Sequence, residues 1–394
     1  MSDDPRATAV VLSGGASYAA YQVGVLRALA EGCSPATGCR PLRASIFVGT
    51  SAGAINAAAA VARPEPDLAA VAGRLERLWL EEFAADPARC RDGALRIRGD
   101  PATYWRAACR GRRPLAALAR LAADGLTFAN EFVARAGGFA ASEEPLARRV
   151  LEAAGIAPVI ARDNFERIVA QVIDLAAIRR SHRLLRITAT DWYTGELKVF
   201  ANQDMTDDIG HKAIFASAAF PGTPPVDIGD TSYVDGSYVA AMPTSPAWQA
   251  GARTTHVVYM DPTMEDTPAE RFDNSIDVLD KVYHFLTATI FARDVQLARD
   301  INRGLDLLDR PDRPGGLSPL ELRGILRLAG RGAAAPAGSP PFRKLVMHLY
   351  HPTDDLGGAV GLVNFDRDHV AWLIGRGYED AAGHDCAKSG CLLD

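Results

Sequence analysis

Cysteine is scarce in this 394-residue chain, and its six cysteines (Cys33, Cys39, Cys90, Cys109, Cys386 and Cys391) show neither a Cys-x-x-Cys pair nor metal-ligand spacing. No metal and no cofactor is therefore expected. Positive charge is not in excess: the net charge of −5 gives no support for a nucleic-acid partner. Residues Met1 to Arg6 are acidic and contain no apolar signal region. Reduced thiols and a cytoplasmic location are the expectation. No apolar run approaches the roughly 20 residues that span a bilayer, so membrane contact is expected to be peripheral. No internal repeat divides the chain.

What is present is an ordinary globular composition, 48% hydrophobic and 23% charged. The length allows a large core, as one big domain or two smaller ones. Arginine far outnumbers lysine and alanine is abundant, which genome composition explains more simply than any binding role.

The stretch that organises the chain is Phe47-Val48-Gly49-Thr50-Ser51-Ala52-Gly53-Ala54-Ile55-Asn56. An apolar run, Ala44 to Val48, stops at Gly-x-Ser-x-Gly, and an alanine-rich helical run, Ala54 to Ala62, follows at once. Strand, sharp turn, helix is the context of a nucleophile elbow. The turn would lift the Ser51 hydroxyl clear of the sheet, with Gly49 and Gly53 giving room for close backbone approach. The helix behind it aims unsatisfied N–H groups at any negative charge that forms beside Ser51.

A second strand-to-helix turn precedes it. Ala7 to Leu12 reads as a strand buried on both faces, and Ala19 to Glu31 as a helix that Gly32 stops. Between them lies Ser13-Gly14-Gly15-Ala16-Ser17. Gly14, Gly15 and Gly24 do not fit a dinucleotide Gly-x-Gly-x-x-Gly, and no acidic residue ends a second strand at the required distance. The anion such a loop would face is instead a transient oxyanion, met by N–H groups of Gly14, Gly15 and Ala16 and of Ala52 after the nucleophile.

These two runs, LSGGASYAAYQVGVLRAL and GTSAGAINAA, resemble the patatin-like lipid acyl hydrolases. The first family motif is Gly-Gly-Gly-x-(Arg/Lys)-Gly, and here Ala16, Tyr18 and Ala19 stand at its third glycine, basic residue and last glycine. Backbone donors survive that change. Ser232-Tyr233-Val234-Asp235-Gly236-Ser237 resembles the family's Asp-Gly-(Gly/Ala) block. On its own an Asp-Gly after a strand is a turn; beside the elbow and the glycine loop, Asp235 becomes the candidate general base, with Gly236 supporting it. Ala189-Thr190-Asp191 and Thr194-Gly195 resemble the family hairpin, in which Asp191 reads as turn chemistry. Ala241 stands where the family usually has asparagine.

The resemblance implies an α/β, patatin-like three-layer fold: a mixed, mostly parallel sheet flanked by helices, with a helical cap insertion. The hydrolase domain is expected over 5–381, the cap over about 84–180, a linker over about 331–341 and a polar, frayed tail over 382–394. No strand pattern appears between Asp67 and Ile178. Between Arg89 and Arg120 the cap carries nine arginines (Arg89, Arg91, Arg96, Arg98, Arg106, Arg110, Arg112, Arg113, Arg120) with Tyr104, Trp105, Leu115, Leu118 and Leu121 interleaved. Two readings stand: a solvated face, or a surface that rests on anionic lipid.

Function follows from the same resemblance: a serine hydrolase of lipid acyl esters, of phospholipase A or lysophospholipase type, using a Ser51–Asp235 dyad with no cofactor. An α/β-hydrolase triad would need several strands and an oxyanion-hole loop ahead of its elbow, and Ser51 follows only two strands. The alternative is a catalytically weak or inactive patatin-fold module that binds lipid or regulates.

Overall fold

The computed structural model describes residues 8–62, 67–98, 104, 114–141, 160–220, 223–260, 275–309, 344–354 and 356–393. The expected linker at 331–341 lies outside them, as do Trp105, Arg106, Arg110, Arg112 and Arg113 of the cap.

Ten strands are described: β1 Thr8–Leu12, β2 Ile46–Thr50, β3 Arg96–Ile97, β4 Ile160–Ala161, β5 Leu184–Asp191, β6 Leu197–Ala201, β7 Val226–Ile228, β8 Thr231–Asp235, β9 Thr254–Val258 and β10 Val346–Tyr350. Eight form one sheet in the order β10-β9-β1-β2-β5-β8-β7, with β6 alongside β5. From β10 to β5 every pairing is parallel, while β6, β7 and β8 join antiparallel. Parallel strands are covered on both faces, which is why β1 and β2 read as continuous apolar runs without alternation.

The two faces bury different residues. Val10, Leu12 and Phe47 belong to one core cluster, with helices α1 (Ala19–Glu31), α2 (Ala52–Val61) and α3 (Leu68–Arg77) and the helix Arg367–Ala382. Ala9, Val11, Ile46 and Val48 belong to the other, with Ala247 of Thr244–Gln249 and Val295, Ala298 and Ile301 of Ser275–Asp309. Helices over both faces of a sheet make the three-layer α/β architecture, each fully buried Val, Leu or Phe contributing about 1.5–3 kcal/mol. The helix α1 ends where expected, at Gly32 in the left-handed region (φ 75°). Its Gly24 lies against the backbone of Ile374 so closely that a Cβ there would collide with it.

Three expectations are corrected. The segment expected to form the cap contains a ladder, Arg96↔Ala161 and Ile97↔Ile160, in strands of two residues that are too short to show alternation. The segment after Ala381 is not frayed. Leu392 and Met347 exchange both backbone hydrogen bonds, at 2.8 and 2.9 Å, so the tail pairs with β10. Cys90 is disulfide-bonded, whereas reduced thiols were expected; pairing depends on spatial approach, which spacing along the chain does not reveal.

Candidate active site

The sheet register brings the elbow and the acid together. Thr50 at the end of β2 pairs with Thr188 of β5, and the next residue, Ala189, pairs with Asp235 at the end of β8. Ser51 follows Thr50, so the side chains of Ser51 and Asp235 meet at one rim of the sheet. The hydroxyls of Thr50 and Thr188 bond to each other beneath them.

Ser51 has φ 52° and ψ −128°, a conformation that L-residues avoid and that stores backbone strain at this turn. Its backbone N–H donates to Ser217 Oγ at 2.9 Å, which helps to hold the turn. Its Oγ donates to Asp235 Oδ2 at 2.6 Å, and both residues are buried, 8% and 3% exposed. The other carboxylate oxygen, Oδ1, accepts the N–H of Ser237 at 2.8 Å. Further bonds fix the backbone of Asp235: its N–H reaches Ala219 O at 3.1 Å, and its carbonyl accepts from Thr190 Oγ1 at 2.8 Å.

Burial pushes the Asp235 carboxyl up to about 6, against the opposing pull of its bonds from Ser51 and Ser237. Desolvation outweighs those bonds because Asp235 is enclosed by protein. A carboxylate at 2.6 Å from a hydroxyl has the reach for direct proton transfer.

The glycine loop closes on the same point. Gly14 sits so near that a Cβ there would lie 3.0 Å from Ser51 Cβ and would collide with Ser237 Oγ. Gly15 has φ 151° and Ala16 φ 44°. Ala16 opens a short 3₁₀ turn and Ala52 opens α2, and the first N–H groups of a helix have no acceptor within it. Gly53 meets the carbonyls of Leu12 and Ser13, Gly49 meets Gly53, and Gly236 meets Thr188 O and Thr50 Oγ1; a side chain at any of them would part these elements.

A buried polar chain stands behind the loop. Trp79 Nε1 donates to Asn56 Oδ1 at 2.8 Å, Asn56 Nδ2 to Gln22 Oε1 at 2.8 Å, and Gln22 Nε2 to Ser13 O at 2.8 Å. Tyr18, at the family's basic position, turns inward, and its hydroxyl donates to Gly358 O at 2.5 Å. Ser17 Oγ donates to Gly361 O at 2.7 Å, so the segment 358–361 clamps the loop. Ser217 and Gln22 were not singled out from the sequence. The Ala-Ser-Ala-Ala-Phe-Pro block carried the signal for Ser217, since a serine among alanines before a family block is out of place on composition alone.

His256, His348 and His369 have other partners. His256 Nδ1 meets the Tyr350 hydroxyl at 3.0 Å and its ring stacks on His348 at 4.9 Å. His369 stacks on Trp372 at 5.6 Å. Burial holds His348 down at about 4 and His256 well below the usual range. Asp191 is a turn residue, as expected, and accepts the N–H groups of Tyr193 and Thr194 at 2.9 and 3.0 Å.

In the cap, the described arginines are engaged. Arg96 forks onto Asp124 at 2.6 and 2.8 Å, Arg98 approaches Asp124 at 3.7 Å, and Arg120 meets Asp92 at 2.6 Å. A cavity of about 550 Å³ lies among Arg91, Asp92, Arg96, Arg120 and Asp163. It is polar, has neither Ser51 nor Asp235 in its lining, and is no acyl site on that chemistry. No helix among the described residues is long and apolar enough to cross a membrane.

A family model described as patatin-like phospholipase matches residues 10–248. No curated protein matches the chain. Among solved structures, VipD from Legionella pneumophila is similar at 11% identity and a TM-score of 0.36, over 96% of this chain and 66% of that one. The type III effector protein ExoU is similar at 14% identity and a TM-score of 0.30, over 96% of this chain and 52% of that one. A complex of SpcU with ExoU from Pseudomonas aeruginosa gives 15% identity and a TM-score of 0.26, over 85% and 72%. The chain thus spans 66% of the first of these chains and 52% of the second.

Proposed function

The chain belongs to the patatin-like phospholipase family, whose chemistry is lipid acyl hydrolysis, and on that premise we propose that it cleaves acyl esters of phospholipase A or lysophospholipase type through a Ser51–Asp235 dyad, with 5–381 as the hydrolase unit. The observation that carries the reading is the buried 2.6 Å hydrogen bond from Ser51 Oγ to Asp235 Oδ2.

Asp235 takes the proton as Ser51 Oγ attacks the ester carbonyl carbon. The carbonyl oxygen becomes an oxyanion facing N–H groups of Gly14, Gly15, Ala16 and Ala52 at the positive end of α2. Collapse breaks the ester bond, and Asp235 passes the proton to the departing alcohol. Water then attacks the acyl-serine, Asp235 takes a proton from it, and that proton returns to Ser51 Oγ as the fatty acid leaves. A carboxylate is a weak base for a hydroxyl. Oxyanion stabilisation must therefore supply most of the acceleration, about 3–4 kcal/mol per donor lost. With Asp235 held at about 6, the dyad is competent only above that pH, where the carboxylate is ionised.

The substrate surface is proposed to be met peripherally by the helix Pro114–Ala141. Leu115, Leu118, Leu126 and Val133 fall on one stripe of it and are 75, 60, 63 and 68% exposed. The paired arginines of the cap contribute less free charge than their number suggests. The test is turnover of a short p-nitrophenyl ester and labelling by a fluorophosphonate. Activity and a single label at Ser51, both lost in Ser51→Ala, are expected. A folded native protein with neither would leave the inactive lipid-binding module.

A further inference from the structure

The Cys-x₄-Cys at 386–391 was passed over in the sequence and no metal was expected, yet the fold gathers His348, His384, Cys386 and Cys391 so that one ligand atom from each lies within 4.8 Å of the others. The structure assigns these four side chains to a structural zinc site that fastens the C-terminal segment to the sheet edge. This goes beyond the hydrolase reading and does not depend on it.

Three sulfur–nitrogen distances are close to those a metal imposes. Zinc bonds of about 2.3 Å to sulfur and 2.0–2.1 Å to nitrogen, set tetrahedrally, put sulfur and nitrogen about 3.6 Å apart. Cys386 Sγ lies 3.5 Å from His348 Nδ1 and 3.4 Å from His384 Nε2, and Cys391 Sγ lies 3.3 Å from His384 Nε2. As plain hydrogen bonds these would be weak thiol contacts, a poor return for burying two imidazoles at 8% and 7% exposure. Two thiolates neutralise a divalent ion, so the filled site carries no net charge into the interior. Soft sulfur with imidazole, and no carboxylate or carbonyl in the set, selects zinc over magnesium or calcium.

The local chain is shaped to present the ligands. His-x-Cys-x₄-Cys lies at 384–391, within the usual gap between paired cysteine ligands. Asp385 Oδ1 accepts the N–H groups of Ala387 at 2.9 Å and Lys388 at 3.4 Å. Gly390 takes φ 69°, and Cys391 N–H closes on Cys386 O at 3.0 Å. The surroundings supply the expected outer contacts. The N–H of Leu349 points to Cys391 Sγ at 3.2 Å, and Ser389 Oγ lies 3.5 Å from His384 Nδ1, the nitrogen not facing the sulfurs.

His348 lies on β10 at one end of the sheet path, while the elbow follows β2, three strands away, roughly 14 Å at the usual strand spacing. All four coordination positions are taken by protein, so the ion has no place for substrate. Its effect is to hold 384–392 along β10, where Leu392 already pairs with Met347, at the end of the described sheet.

The experiment is elemental analysis of the full chain, purified without a histidine tag or chelator from zinc-supplemented culture. Cobalt(II) reconstitution and mass spectrometry of the 384–391 region go with it. One equivalent of zinc is expected, retained in Ser51→Ala and Cys33→Ser and reduced to background in Cys386→Ser and Cys391→Ser. Should those variants fail to fold, the native chain decides: cobalt(II) should give tetrahedral visible bands with thiolate charge transfer, and a chelator should lower Tm. A native protein without zinc and without those bands overturns the assignment, as does a Cys386–Cys391 disulfide.

Discussion

Replacing Asp235 by Asn should make the protein more stable while removing its activity. The amide keeps the shape of the carboxylate: one end can still accept the N–H of Ser237, and the other can donate to Ser51 Oγ. What it loses is charge in a buried site. Asp235 is raised to about 6 by burial, against about 3.9 in an unfolded chain. The folded state therefore favours the protonated acid. That contribution is fully present below about pH 3.9 and is lost as pH rises through 6, so the ionised carboxylate weighs against folding at neutral pH. Two units correspond to on the order of 3 kcal/mol at pH 8 and about half of that at pH 5. With an unfolding entropy of about 2.1 cal/mol/K per residue, the pH 8 gain amounts to a rise in Tm of roughly 3–4 °C. Ester turnover should fall by at least ~100-fold, since no proton acceptor remains. Calorimetry at both pH values, with turnover alongside, is the assay. An Asn variant no more stable than the native protein at pH 8, or with an advantage that does not shrink at pH 5, would refute the reasoning.

Further expectations concern the support and the surface. Ser217→Ala leaves the Ser51 N–H without its acceptor, so about 1–3 kcal/mol of stability should be lost and kcat should fall more than KM rises, as steady-state kinetics will report. Asn56→Leu strands Gln22 and Trp79 in the core, and denaturant unfolding should show a loss of at least ~2 kcal/mol. Serine at both Leu115 and Leu126 should weaken binding to phospholipid vesicles in a flotation assay and spare a soluble ester; unchanged flotation would remove the surface role of that helix.

What could be read from the sequence was local. The elbow, the stop at Gly32 and the Asp-Gly after β8 each lie within a few residues, because turn geometry demands particular residue types at fixed offsets. Relations across the sheet were not legible. Asp235 reaches Ser51 only through the pairing of β2 with β5 and of β5 with β8, and the family resemblance had to stand in for that register. The arginine run was read as a solvated face or a lipid-resting surface; the pairings of Arg120 with Asp92 and of Arg96 with Asp124 each span 28 residues and left no local trace. His348 and Cys386 are 38 residues apart, so no spacing rule could join them. Tyr18 looked like a lost cation; its burial against Gly358 shows a packing role instead.

The Ser51–Asp235 dyad is tested most directly by a double-mutant cycle on soluble-ester turnover, using Ser51→Ala, Asp235→Asn and both together, with His256→Asn and His369→Asn beside them. Partners in one step do not lose activity additively, so the double variant should match either single one, and both folded histidine variants should keep their activity. A fully active Asp235→Asn, or a folded histidine variant as inert as Ser51→Ala, would contradict the account.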